Sequence, residues 1–111
     1  EATILRLPGK LYQHKENNII SNVYTFKVIN KTTKDIENVS YKLLSHKGKI
    51  KLVSNHDFIV PKQGSAEGTL FIELPSSVLK GDNIDIMIGV FSKDQLIEKT
   101  KTNFLGPRSY R

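Results

Sequence analysis

The alternation of aliphatic side chains along the chain is the feature that most constrains how it can fold. It is clearest at residues 84–90, where every second position carries a β-branched residue: Ile84, Ile86, Ile88 and Val90. Successive side chains of a β-strand point to opposite faces of a sheet, so this spacing predicts a strand with one buried face. The same period recurs in most other apolar segments, which predicts a protein made of strands.

Composition and turn residues support the same fold class. The chain has 12 Ile, 7 Val and 7 Thr but only 2 Ala, and β-branched residues favour strands whereas Ala favours helices. Turn residues separate seven or eight extended segments, which are Ala2–Leu7, Ile19–Asn30, Glu37–Leu44, Lys49–Val53, Phe58–Val60, Gly68–Leu74, Ile84–Phe91 and Leu96–Phe104. Short strands at this spacing predict an all-β protein, an antiparallel β-sandwich of about seven strands rather than a closed five-stranded barrel. The topology expected is immunoglobulin-like, although the Cys–Trp–Cys signature of true immunoglobulin domains is absent.

The chain length predicts one domain over residues 1–111, with a frayed basic tail at residues 106–111. There is no cysteine, which excludes disulfides, thiolate metal sites and a cysteine nucleophile within these residues. No apolar run is long enough to span a membrane, and the opening residues Glu1-Ala2-Thr3 do not resemble a signal peptide. We therefore expect either a cytosolic protein or a segment of a longer chain.

The residues give little support to a catalytic or metal site. The three histidines, His14, His46 and His56, lie in polar stretches and form no closely spaced pair. His56-Asp57 is better interpreted as a loop dipeptide than as a base with its orienting acid. A copper site formed by His14, His46 and Met87 is the metal alternative, because imidazole and thioether ligands suit copper, but their spacing does not support it.

The positive charge suggests a second alternative. The formal net charge is +6, and Lys47, Lys49 and Lys51 alternate in a way that would aim all three to one side of a strand. Such a strip could contact an anionic membrane surface or an acidic partner. Nucleic acid is a less favoured partner, because single-strand binding usually needs exposed aromatic residues between the cations, and Phe26 and Tyr41 are predicted to be in the core. A solvated face and protected edge strands are the preferred interpretation of the lysines.

A series of short motifs resembles a known family. They are Arg6-Leu7-Pro8-Gly9-x-Leu11-Tyr12, Ile20-Ser21-Asn22-x-Tyr24, Lys27-Val28-Ile29-Asn30-Lys31-Thr32, Ile88-Gly89-Val90-Phe91 and Phe104-Leu105-Gly106-Pro107. In this order and spacing they are similar to the C-terminal domain of the FixG family, also called CcoG, the cytochrome oxidase accessory proteins of bacteria. One departure is Asn17-Asn18, where an Asp-Gly type of turn would be expected; Asn tolerates the same backbone conformation.

The resemblance implies a function that composition cannot supply. The FixG-like parent is a membrane-bound iron–sulfur redox protein linked to copper handling and to assembly of cbb3-type cytochrome oxidase. Its 4Fe-4S clusters are expected in an N-terminal part, outside this segment, and this C-terminal domain is expected on the periplasmic side of the bacterial inner membrane, without a cofactor of its own. The implied role is docking to the parent's transmembrane part, to oxidase subunits or to a copper donor.

The matched motifs carry no catalytic residue, and we predict structural roles for their members. Pro8 and Gly9 should turn the chain out of the first strand, and Gly106 and Pro107 should end the last one. Short polar residues in or beside strands should bond to backbone groups at bends, and these are Ser21, Asn22 and Asn30. Tyr24 should point its ring inward, so its hydroxyl needs a hydrogen-bond partner. Two Asn-x-Ser/Thr sequons, at Asn30 and Asn38, are interpreted as turn residues rather than glycosylation sites.

Overall fold

A computed structural model describes residues 1–9, 11–53 and 58–107. These residues form eight β-strands: β1 (Ala2–Arg6), β2 (Gln13–Lys15), β3 (Ile19–Ile29), β4 (Val39–Leu43), β5 (Lys49–Leu52), β6 (Ser65–Pro75), β7 (Asn83–Ser92) and β8 (Gln95–Leu105). Two single-turn 3₁₀ helices, at Glu16–Asn18 and Ser76–Val78, complete the regular structure of the described residues. Within these ranges, no helix is long and apolar enough to cross a membrane.

The strands form two antiparallel sheets. In the larger sheet the order is β1-β3-β6-β5, and β2 also pairs with β3; the smaller sheet has the order β4-β7-β8. The inner faces of the two sheets share one apolar core. The prediction of an antiparallel β-sandwich with an immunoglobulin-like arrangement is therefore confirmed, with eight strands instead of about seven.

Most of the predicted inward-facing residues are buried in the core. Ile86 and Ile88 on β7 are 1% and 0% exposed, and Leu70, Ile72 and Leu74 on β6 are all at 0%. Leu43 and Ile84, at the ends of their strands, are only partly buried against this cluster. Alternation identified the buried face correctly because each strand has one face in the core and the other towards solvent.

The strand predictions were wrong in three places. Strand β2 was not predicted because its residues, Gln13–Lys15, are polar and exposed; only its pairing with Ile19–Ser21 of β3 makes it a strand. The segment Phe58–Val60 was predicted to be a strand, but of its residues only Val60 forms a bridge, to Ile36. Strand β6 starts at Ser65, three residues before the predicted start, because β3 continues to pair with it there.

Strands β1 and β2 lie one after the other along the same edge of β3. β1 pairs with Tyr24–Val28 and β2 with Ile19–Ser21, both antiparallel, so they resemble one edge strand interrupted by residues 7–12. Pro8 and Gly9 form the turn at which the chain leaves this edge, as predicted, and Gly9 has a φ of 81°. Leu11 and Tyr12, which lie between these two strands in the chain, are beside the outer face of the larger sheet.

The turn between β2 and β3 shows how Asn replaces the expected glycine. Asn17 and Asn18 have φ values of 62° and 58°, in the left-handed region that most residues avoid. Asn adopts this region more readily than other non-glycine residues. The departure from an Asp-Gly turn therefore leaves the hairpin geometry intact.

Candidate docking surfaces

Two side chains of β3 tie the larger sheet to the edge of the smaller one. Asn22 donates from Nδ2 to the carbonyl oxygen of Leu105 and accepts the Leu105 N–H at Oδ1, each at 2.9 Å. Two residues along, the Tyr24 hydroxyl donates to the carbonyl oxygen of Asn103 at 2.8 Å. Both side chains are almost fully buried and occupy backbone groups of β8, an edge strand of its sheet. Their predicted role in bonding backbone groups is thus seen directly.

Asn30 organises the loop between β3 and β4. Its Nδ2 donates to the carbonyl oxygens of Lys34 and Val60, and its Oδ1 accepts from the N–H and the hydroxyl of Thr32. Asn30 is 1% exposed, so every polar atom of its side chain is used inside the fold. This arrangement favours the structural interpretation of the Asn30 sequon, whereas Asn38 of the second sequon is exposed.

The end of β8 is held more firmly than the sequence suggested. A frayed tail was predicted from residue 106, but Gly106 is buried and its N–H donates to the carbonyl oxygen of Asp82 at 3.1 Å. A Cβ at this position would lie 2.5 Å from Leu79 Cδ1, so the close approach of Leu79 favours glycine. Pro107 follows with partial exposure, and residues 108–111 of the predicted tail lie outside the described range.

The outer face of the larger sheet carries an apolar groove of about 420 Å³. Its apolar walls come from Leu7, Leu11, Tyr12, Val23 and Phe71; we call these five residues the groove residues. Leu11 is 70% exposed and Tyr12 is 40% exposed, although Leu11 has an entirely apolar side chain and Tyr12 a largely apolar one. Leu5, at 61% exposed, lines an adjoining groove on the same face. Contiguous exposed apolar surface of this kind marks interaction sites.

A cluster of three charges lies next to this groove. Glu73 of β6 contacts Lys15 Nζ at 3.2 Å and Lys51 Nζ at 3.4 Å, and its side chain is 11% exposed. Burial would raise the pKa of the Glu73 carboxyl, but the hydrogen bond from Lys15 and the charges of Lys51 and Lys15 outweigh burial and lower the pKa below its ordinary value. One carboxylate between two ammonium groups leaves this cluster with a net charge of +1.

Only two of the three lysines in the predicted strip lie on the same strand. Lys49 and Lys51 share the outward face of β5, but Lys47 lies in the bend before the strand. Lys51 is paired with Glu73, which reduces the charge that it presents to a partner. The reason is the turn at Ser45–Gly48, which was itself predicted and which contains Lys47.

The outer face of the smaller sheet has a different character, and we call it the lysine face. Cross-strand register aligns Lys42 with Gly89 and Gly89 with Lys99, while Met87 lies opposite Lys101. Gly89 is buried because neighbouring side chains cover it: a Cβ there would be 2.8 Å from Phe91, 3.0 Å from Leu96 and 3.1 Å from Leu44. The face thus has an apolar centre, formed by Leu44, Met87, Phe91 and Leu96, with Lys42, Lys99 and Lys101 around it.

The residues of the copper alternative are not brought together. His14 is on β2, in the larger sheet, and β3 and β6 separate it from β5. Met87 lies in the smaller sheet; its backbone N–H donates to Ser45 Oγ, which is also 2.6 Å from His46 Nδ1. Within the described ranges, no group of three His, Asp or Glu residues could hold a metal ion. His56 and Asp57 lie outside the described residues.

Sequence reasoning missed both apolar features on the outer faces. Leu11 and Tyr12 were noted only as motif residues, and Gly89 only as a motif residue within a predicted strand. A signal was nevertheless present at Leu11 and Tyr12, because two adjacent large apolar residues that follow a Pro-Gly turn after one intervening lysine do not alternate and so do not both fit the inner face of a strand. Leu96 and Phe91 could not be assigned to one surface without the cross-strand register, which shifts between Val90 and Phe91.

Two antiparallel sheets packed over one core and tied at the β3–β8 edge define an immunoglobulin-like β-sandwich. Residues 1–107 match the family described as "IG-like fold at C-terminal of FixG, putative oxidoreductase". The chain therefore belongs to this family of C-terminal domains, as the motifs indicated. No curated protein matches it.

A solved structure supports the fold. The crystal structure of a FixG-related protein from Vibrio parahaemolyticus is similar with a TM-score of 0.65, over 95% of this chain and 94% of that chain. The two sequences are 19% identical, so this likeness bears on the fold alone.

Proposed function

We propose that this domain is a non-catalytic docking domain on the periplasmic side of a FixG-family membrane protein, and that it contributes to cbb3-type cytochrome oxidase assembly and copper handling. The observation that carries the proposal is the apolar groove formed by Leu7, Leu11, Tyr12, Val23 and Phe71. In a domain whose core is already closed, large exposed apolar side chains at a preformed groove are best explained by a partner that covers them. Membership of the FixG family supports the proposed cellular role, and the groove supports the proposed position of the contact.

The chemistry of the groove favours a protein partner. Tyr12 offers an apolar ring with a polar end, a combination enriched at protein interfaces. Glu73 forms ion pairs with Lys15 and Lys51 beside the groove, so its carboxylate offsets one of these two positive charges. The partner classes we propose are the protein's own transmembrane part, an oxidase subunit or a copper donor.

The buried polar side chains of the domain are consistent with a scaffold role. The polar groups of Asn22, Tyr24 and Asn30 all bond within the domain, so none of them is available for chemistry on a substrate. Their positions instead fix β3 and β8, and β3 is the strand that carries Val23 into the groove. A rigid β-sheet with an attached loop is a suitable platform for positioning a docking surface.

The test is made in a bacterium that expresses the full-length protein. Leu11→Ser and Tyr12→Ser should together lower the amount of assembled, active cbb3-type oxidase in membranes, with the protein itself present at its normal level. The matched control is Val53→Ser, which changes a 59% exposed aliphatic residue outside the groove. Equal oxidase levels in the groove variant, the control and the wild type would refute a role of the groove in assembly.

A further inference from the structure

The three lysines of the lysine face, Lys42, Lys99 and Lys101, lie close together. Lys42 and Lys99 align across β7 through Gly89, so their backbones are about 10 Å apart. Lys101 follows Lys99 two residues along the same strand, on the same outward side. Within the described part of the chain, none of the three forms an ion pair, in contrast to Lys15 and Lys51. A local excess of positive charge therefore lies on one sheet face.

The apolar centre of this face is held in place. Leu44, Phe91 and Leu96 converge over Gly89, where any larger residue would displace them. The Nζ atom of Lys42 lies 4.9 Å from the centre of the Phe91 ring, a cation–π contact that orients both side chains. Leu44 and Leu96 are nevertheless 43% and 41% exposed. The face thus combines partly exposed leucine side chains with the ammonium groups of lysines.

We infer that the lysine face binds the headgroup region of an anionic lipid bilayer. Lysines attract acidic headgroups, while aliphatic side chains between them enter the interface, and this combination is typical of surfaces that lie on membranes. A protein partner is less well supported, because protein interfaces are depleted in Lys and this face has three lysines and no Arg, Tyr or Trp, although Phe91 and Met87 are of types that interfaces favour. The acid on the same outward row is Asp85, opposite Asn103 at the end of the face.

This inference is independent of the groove, which lies on the opposite sheet. A domain that rests on a membrane through the smaller sheet would leave the groove of the larger sheet open to a protein partner. The competing surface for lipids is the β5 strip of Lys47, Lys49 and Lys51, where Glu73 already compensates Lys51. Vesicle binding by variants that lack the lysines of one surface or the other therefore distinguishes the lysine face from the β5 strip.

The experiment measures binding of the 111-residue chain to vesicles of phosphatidylglycerol and phosphatidylcholine in equal amounts, by co-sedimentation at low salt. A triple Lys42→Gln, Lys99→Gln and Lys101→Gln variant should lose about fivefold in partition coefficient for each lysine, or about 100-fold in all. The matched control replaces Lys47, Lys49 and Lys51 with Gln, removes the same charge, and should lose at most about tenfold. Pure phosphatidylcholine vesicles should bind neither variant nor the wild type appreciably.

The apolar contribution is tested at two neighbouring residues. Leu96→Ser should weaken vesicle binding several-fold even at high salt, whereas Ile97→Ser should not, because Ile97 is similarly exposed but lines a separate groove beside Val28 and Asn30. Circular dichroism confirms that each variant is folded.

No binding of the wild type to the anionic vesicles overturns the inference. An equal loss in both triple variants does so too, because it shows a general charge effect, and so does a larger loss in the β5 variant. Binding of an acidic protein in the absence of any vesicle binding would reassign the face to a protein partner. None of these outcomes affects the groove, which is tested by oxidase assembly.

Discussion

The side-chain amide of Asn22 forms two hydrogen bonds with the backbone of a single residue, Leu105, one with its N–H and one with its carbonyl oxygen. In geometry this resembles the pairing that a neighbouring strand would give to the edge strand β8. The amide thus closes the sandwich at the place where a sheet edge would otherwise have buried, unpaired backbone groups. Such groups are costly when left unsatisfied.

Asn22→Ala should therefore destabilise the domain substantially. The change leaves the N–H and the carbonyl of Leu105 without these partners in a partly buried site, and each such group costs about 1–3 kcal/mol when it is buried. We expect a loss of about 2–4 kcal/mol in the free energy of unfolding, measured by urea denaturation. Asn83→Ala is the control, because Asn83 is exposed and bonds only to another side chain among the described residues. A loss in Asn22→Ala no larger than in the control would contradict this account of the β3–β8 contact.

The two buried tyrosines offer a matched pair. Burial raises the pKa of both Tyr24 and Tyr41, with the nearby Arg6 charge partly opposing this for Tyr24, so both hydroxyls stay protonated. The Tyr24 hydroxyl donates to Asn103, whereas the Tyr41 hydroxyl is buried with no partner among the described residues. Tyr24→Phe should cost about 1 kcal/mol, and Tyr41→Phe should be neutral or slightly stabilising. Thermal unfolding of the two variants is the measurement, and a larger loss in Tyr41→Phe would show that its hydroxyl is bonded.

The lowered pKa of Glu73 gives the domain a pH-dependent contribution to stability. Because the folded pKa lies below the ordinary value of 4.5, this contribution is present above about pH 4.5 and is lost as the pH falls through the folded pKa. Lys15 and Lys51 are about half exposed, so the contribution should be below about 1 kcal/mol. Unfolding free energies of the wild type and Glu73→Gln should differ at pH 7 and converge at low pH. A difference that persists or grows as the pH falls would reverse the sign assigned here.

The isolated domain should have no tight copper site. His14 and Met87 belong to different sheets, and the chain has no cysteine. We expect titration calorimetry with copper to show no stoichiometric binding tighter than micromolar. Tight binding that disappears in His46→Ala or His56→Ala would instead support the copper-transfer alternative.

The buried face of the fold could be predicted from the sequence, whereas the functional surfaces could not. Period-2 patterns such as that of Ile84, Ile86 and Ile88 report burial directly, because the core selects apolar residues at every second position. The motif residues Asn22 and Asn30 were assigned correctly to backbone bonding, but their partners, Leu105 and Val60, are distant in the sequence. Only the fold brings such residues together.

The outer faces depend on register, which alternation does not determine between strands. Lys99 and Lys101 share the alternation of one strand, but Lys42 was not grouped with them from the sequence, because β7 separates β4 from β8. The lysines that were grouped, Lys47 to Lys51, are neighbours in sequence but not all in one strand. Proximity along the chain was a poor guide to proximity on the surface.

The central claim is that the groove of the larger sheet docks a protein, and site-specific crosslinking tests it most directly. A photo-reactive amino acid at position 11 of the full-length protein, in intact cells, should crosslink to one of the proposed partners: its own transmembrane part, an oxidase subunit or a copper donor. The same probe at position 53 serves as the control and should not. A specific crosslink from position 11 that is lost in Phe71→Ser is the predicted result. Absence of any crosslink from position 11, or the same products from both positions, would contradict the claim.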